Sequence, residues 1–108
     1  MTFLTAAQAQ GGGTIFWPGA HTTLAELGSS LPSDGAMKSV AQACADACEG
    51  IAPVEITPDV GDVAFYDIFT PHSGSTNLST APRIALNQKW GVVDRNGKGF
   101  YNVTTAPP

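Results

Sequence analysis

His72 and Arg83 are the side chains whose types and positions best suit chemistry in this sequence. His72 follows Pro71 at the end of an apolar run and precedes the small, polar Ser73-Gly74-Ser75-Thr76. An imidazole so placed can bind a metal through one ring nitrogen while an acceptor fixes the other. Arg83 comes eleven residues later, between Pro82 and Ile84-Ala85-Leu86. A guanidinium that opens an apolar strand calls for an anion, and its planar fork matches a carboxylate. Each has an ordinary reading as well: a histidine satisfied by hydrogen bonds, and an arginine that pairs with one of the nine acids or reaches out to water. Cys44 and Cys48 are the only cysteines and stand four apart in a helical pattern, on one face. They read either as half of a thiolate metal site, needing two further soft ligands, or as two small residues of a buried stripe.

The elements that must position these groups follow from periodicity. Thr2 to Ala7 and Gly13 to Trp17 read as short strands around Gln8-Ala9-Gln10-Gly11-Gly12-Gly13, whose glycines suit a turn. Pro18-Gly19 closes the second strand. Thr23-Leu24-Ala25-Glu26 matches a capping box for a short helix that Gly28 ends. Ser33-Asp34 can cap a longer helix with Met37, Val40, Cys44 and Ala47 or Cys48 on its apolar face, opposite Lys38, Gln42, Asp46 and Glu49, and Gly50 stops it. Beyond it, residues 54–56, 63–69, 84–93 and 100–103 are rich in β-branched and aromatic types and read as strands. Asn96-Gly97 marks a hairpin between the last two. In the strand from Val63, alternation places Ala64, Tyr66, Ile68 and Thr70 on one face and Val63, Phe65, Asp67 and Phe69 on the other, so that His72 belongs with Tyr66.

A chain of 108 residues fits one domain, here 1–105 with 106–108 as a tail. Charged residues are 13% and apolar residues 43%, a globular balance. Five Lys/Arg against nine Asp/Glu, with no basic cluster, argue against a nucleic-acid surface or an anionic lipid partner. No segment approaches the roughly 20 apolar residues of a membrane span, and Met1 to Gln8 reads poorly as a secretory signal. The expectation is a soluble protein, cytoplasmic or otherwise intracellular. Short strands punctuated by Gly, Pro and Asn around one helical excursion predict a mainly β sandwich or jelly roll.

Three segments in order add a resemblance. Gly12-Gly13-Thr14 leading to Pro18-Gly19-Ala20-His21, then Gly61-Asp62, then His72, Asn77, Pro82 and Arg83, resemble the C-terminal half of the phytanoyl-CoA dioxygenase family, over about Thr2 to Trp90. The resemblance implies a partial double-stranded β-helix (jelly roll, cupin-like) with one short and one longer helix inserted between strands. It implies Fe(II) and 2-oxoglutarate as cofactors and a small-molecule substrate that is hydroxylated. His72 is then the distal iron ligand and Arg83 the grip on the far carboxylate of 2-oxoglutarate, with Trp17, Tyr66 and Asn77 as cavity lining.

The departures from that pattern bear on function. The family's His-x-Asp pair has no counterpart: His21 is followed by two threonines and His72 by Ser-Gly. The loop after His72 reads Ser73-Gly74-Ser75 where Gly-Ser-Gly is usual, and Ala20 replaces a Ser. A triad rebuilt from His21, His72 and Asp67 needs a bulge, because alternation puts Asp67 on the face opposite His72. The chain therefore reads as the C-terminal part of such an oxygenase, inactive alone and completed by self-association or by a missing N-terminal half. The alternative is a non-catalytic jelly-roll module that keeps the scaffold and the anion-binding Arg83.

Overall fold

The computed structural model of the chain describes residues 1–28 and 37–90. The cap expected at Ser33-Asp34, the end of the strand expected over 84–93, the Asn96-Gly97 hairpin, the strand at 100–103 and the 106–108 tail lie outside those residues. The described chain forms β1 (Thr2–Phe3), β2 (Thr14–Phe16), α1 (Ala20–Gly28), α2 (Met37–Cys48), β3 (Val54–Glu55), β4 (His72–Gly74) and β5 (Ala85–Leu86). Two small antiparallel sheets result, β1-β5 and β3-β2-β4, with both helices inserted between β2 and β3. No described helix is long and apolar enough to cross a membrane.

The glycine run does the turning expected of it, with help from a non-glycine. Gln10 takes φ 59° and Gly12 φ 77°, while the Gly11 amide closes a turn onto the Gln8 carbonyl at 2.8 Å. Gly13 is required for a different reason: a Cβ there would stand 2.5 Å from the Ile56 carbonyl oxygen. The close approach lets the Ile56 amide donate to the Thr14 carbonyl at 2.9 Å, which extends the pairing of β2 with β3. On its other edge β2 pairs with β4, with Thr14 opposite Gly74, Ile15 opposite Ser73 and Phe16 opposite His72. The bridge between Gly11 and Asn77 keeps the same register, so this ribbon runs on without a bulge.

β1 lies between β5 and the segment that begins at Gly61. Phe3 donates to the Asp62 carbonyl at 3.0 Å and Gly61 donates to the Phe3 carbonyl at 2.8 Å. Held from both sides, Phe3 is 1% exposed, the largest fully buried side chain among the described residues. The second core lies between the helices, where Ala20, Leu24, Ala43 and Ala47 are buried and Trp17, Cys44, Cys48, Ile51 and Phe69 pack at its margin. Small residues at this contact let two helix backbones approach closely. The polar face expected of α2 holds at Gln42, Asp46 and Glu49, all exposed, but Val40 is exposed and Ala43 takes the buried position. Gly50, with φ 73°, ends the helix as its sequence predicts.

Two local expectations are corrected. Thr23 does not cap a helix: α1 already begins at Ala20, after the turn made by Pro18 and Gly19 (φ 88°), and Thr23 lies inside it. Residues 63–69 do not form a strand; only Val63 bridges to Thr2. The Asp67 carboxylate instead accepts from the Phe69 amide at 2.8 Å and the Thr70 hydroxyl at 3.2 Å. An aspartate that bonds its own following backbone offers the chain a turn in place of a ladder.

Candidate functional site

β4 and the segment leading into β5 carry the two residues singled out by type, and both line one open groove of about 410 Å³. Met1, Thr14, Ser73, Gly74, Ala85 and Asn87 complete its walls. The register explains the placement on the β4 side. Thr14, Phe16, His72 and Gly74 are mutually opposed pairs of β2 and β4, so all four lie on one face of the sheet. Thr14 is 2% exposed and forms the floor; its hydroxyl faces the Met1 sulfur at 3.6 Å.

His72 is held by its ring and by one nitrogen. The Nδ1 atom lies 2.9 Å from the Thr70 carbonyl oxygen, a contact that requires Nδ1 to carry the proton because a carbonyl can only accept. In the neutral ring Nε2 then keeps its lone pair as an acceptor, the arrangement in which a backbone carbonyl sets the tautomer of an imidazole. Phe16 and Tyr66 brace the ring, with centroids 6.1 and 4.8 Å from that of His72 and 5.1 Å from each other. Tyr66 thus meets His72 through the Asp67 turn and not through the strand alternation expected, and it braces the ring from outside the residues that line the groove.

Arg83 is half-buried, and its Nε donates to the Gly12 carbonyl oxygen at 2.8 Å. That bond fixes the guanidinium plane and leaves the two terminal nitrogens to an incoming group. Among the described residues no carboxylate pairs with it. A guanidinium pinned through Nε and facing a groove binds a carboxylate end-on with two parallel N–H···O bonds.

On the opposite face of the same ribbon stands a second polar group, missed in the sequence. The Glu55 carboxylate accepts from the Ser75 hydroxyl and from the Gln10 amide, the latter at 3.0 Å. The Ser75 bond first, then the amides of Gln10 and Gly13, hold its pKa below the ordinary glutamate value against the opposing effect of burial. Glu55 thereby ties the glycine turn, β3 and the end of β4 together. An acid in a β-rich stretch opposite a Gly-Gly-Gly turn was the available signal, since such turns present unpaired amides.

The remaining sequence candidates lie elsewhere. Trp17 packs at the margin of the helical core and not on the groove. Asn77 shares the face of Ser73 and Ser75, away from His72, and makes a local turn: its Nδ2 donates to the Ala81 carbonyl at 2.9 Å, while its Oδ1 accepts from the Ser79 amide and hydroxyl at 2.9 and 2.6 Å. His21 is on α1 and Asp67 is committed to its own turn. Among the described residues no three His, Cys, Asp or Glu side chains gather as a metal site. One oriented imidazole does not meet the donor set of a facial iron triad, which takes two histidines and a carboxylate. The described residues therefore do not by themselves make up such a site. No family model, curated protein or solved structure matches the chain significantly.

Proposed function

We propose that the chain is the C-terminal part of a non-haem Fe(II)/2-oxoglutarate-dependent dioxygenase of the phytanoyl-CoA type, built on part of a jelly roll. One observation carries the reading: His72 and Arg83, which the resemblance makes metal ligand and cosubstrate grip, line one groove, each held by a backbone carbonyl so that its ligand-binding atoms remain available. Fe(II) would supply the oxidative chemistry only once the His-x-Asp pair is provided from outside these residues. The chain's own part is binding: Arg83 takes a carboxylate end-on, His72 presents Nε2, and Thr14 floors the groove. The exposed side chains of Phe65, Ile68 and Leu86 agree with a half barrel that a second copy or an N-terminal half completes.

The absence of a three-ligand cluster among the described residues favours a second reading, a non-catalytic module that binds a small carboxylic acid through Arg83 alone. Calorimetric titration of 2-oxoglutarate with and without Fe(II) separates the two. Binding strengthened by Fe(II) and lost in His72→Ala supports the oxygenase; binding indifferent to Fe(II) and lost only in Arg83→Ala supports the module. No binding under either condition refutes both assignments.

A further inference from the structure

Cys44 and Cys48 are used by neither reading. They stand one helical turn apart on α2, both as free thiols and both half-buried at the margin of the helical core beside Trp17, Ile51 and Phe69. Side chains at this spacing on a helix have Cβ atoms about 5–6 Å apart, whereas a disulfide needs about 3.5–4.5 Å. The pair is therefore too wide to oxidise to a disulfide without unwinding α2. Two thiolates bound linearly to one ion at about 2.3 Å each sit about 4.6 Å apart, which fits a helical turn with ordinary rotamers. The thiols are near enough to sense each other: the pKa of Cys48 is raised, first by burial and then by the charge of Cys44.

The surroundings select the kind of ion. Among the described residues no third His, Cys, Asp or Glu joins the pair, so a tetrahedral Zn²⁺ site is not available. Soft ions that accept two sulfur ligands in a line need no third donor, and thiolates select them over the harder divalent ions.

We propose that Cys44 and Cys48 form a two-coordinate, dithiolate site for a single soft cation of the Cu(I) or Ag(I) type, closed within one chain. Both thiols deprotonate on binding, so two protons are released per ion and affinity rises with pH. The site stands apart from the His72–Arg83 groove and does not rest on the oxygenase reading.

The test uses the whole chain, fully reduced, freed of reductant and titrated with Ag(I) in chloride-free buffer under nitrogen. Native mass spectrometry is expected to show one tightly bound ion per monomer, and at one equivalent both thiols are expected to stop reacting with a maleimide. Cys44→Ser and Cys48→Ser are each expected to bind about 100-fold more weakly or worse, because a single thiolate loses the chelate's effective concentration. Two independent ions per chain, an ion shared between two chains, thiols that remain reactive at one equivalent, or single variants that bind as tightly as the parent overturn the proposal. The stoichiometry and protection measurements need only the parent protein, so they decide the matter even where a variant folds poorly.

Discussion

Gly13→Ala is expected to destabilise the chain by about 2–4 kcal/mol, while Gly74→Ala, across the same ribbon, is expected to change stability by less than about 0.5 kcal/mol. At position 13 the new methyl group would lie 2.5 Å from the Ile56 carbonyl oxygen and 3.1 Å from the Glu55 carboxylate. Ordinary contact begins near 3.4 Å, so the Ile56 backbone must retreat by about 0.9 Å. Ile56 is also the residue whose amide reaches Thr14 at 2.9 Å, and a retreat of that size takes the bond beyond hydrogen-bonding distance. Overpacking of this kind costs about 1–3 kcal/mol, and the broken backbone bond adds about 1 kcal/mol. For a chain of this length that corresponds to a Tm lowered by roughly 10–20 °C. At Gly74 nothing lies within 4 Å of the position a Cβ would take, and its φ needs no glycine. Parallel thermal and urea unfolding followed by circular dichroism measures both variants. Should Gly13→Ala unfold within 0.5 kcal/mol of Gly74→Ala, the tight β2–β3 approach is not a feature of the protein in solution.

Three further outcomes follow from the geometry. Because the Glu55 pKa is lower folded than unfolded, its ionised form stabilises the fold above the ordinary value of 4.5; that contribution declines as pH falls below 4.5 and is gone once pH passes the folded value. Glu55→Gln should therefore flatten the acid limb of a Tm-against-pH curve, and an unchanged acid limb would show that the clamp contributes nothing. Arg83→Lys, which keeps the charge but not the fork or the Nε bond to Gly12, should weaken 2-oxoglutarate binding by about 10-fold or more in calorimetry, and equal affinity would rule out end-on recognition. Phe3→Ala should cost about 3–5 kcal/mol and leave the chain largely unfolded at 37 °C by circular dichroism, since Phe3 fills the only fully buried large position among the described residues; a cooperative transition near the parent Tm would contradict that core.

The parts of this structure legible in the sequence are those where one local signal dominates. The polar face of α2, the Gly50 stop and the centre of β2 follow from residue types alone, because burial and turn chemistry agree there, whereas Val40, read as part of the apolar face, gives its place to Ala43. Residues 63–69 misled because β propensity measures fit to a half-buried sheet, and here the apolar side chains of Phe65 and Ile68 are 86% and 66% exposed. What decided that segment was Asp67, whose carboxylate captures the Phe69 amide and the Thr70 hydroxyl. The capping box at Thr23 lost to Pro18-Gly19, which turns the chain early enough for Ala20 to start α1 and enter the core. The groove that His72 and Arg83 share was not legible from local signals. Spacing along the chain carries no information about a register that pairs β4 with β2 and brings Arg83 across to Gly12. Asn77 shows the same limit, since five residues beyond His72 in an unbroken register puts it on the other face.

The Glu55 clamp has a consequence for assembly. Its partners come from points 45 positions upstream and 20 positions downstream, so no short stretch of the chain can form the clamp on its own. The turn that presents the Gly12 carbonyl to Arg83 and the strand that carries His72 are fastened through the same carboxylate. The His72 side and the Arg83 side of the groove should therefore mature and come apart together, as one cooperative unit, and amide protons at Gln10 and Ser75 should exchange with solvent at a common rate.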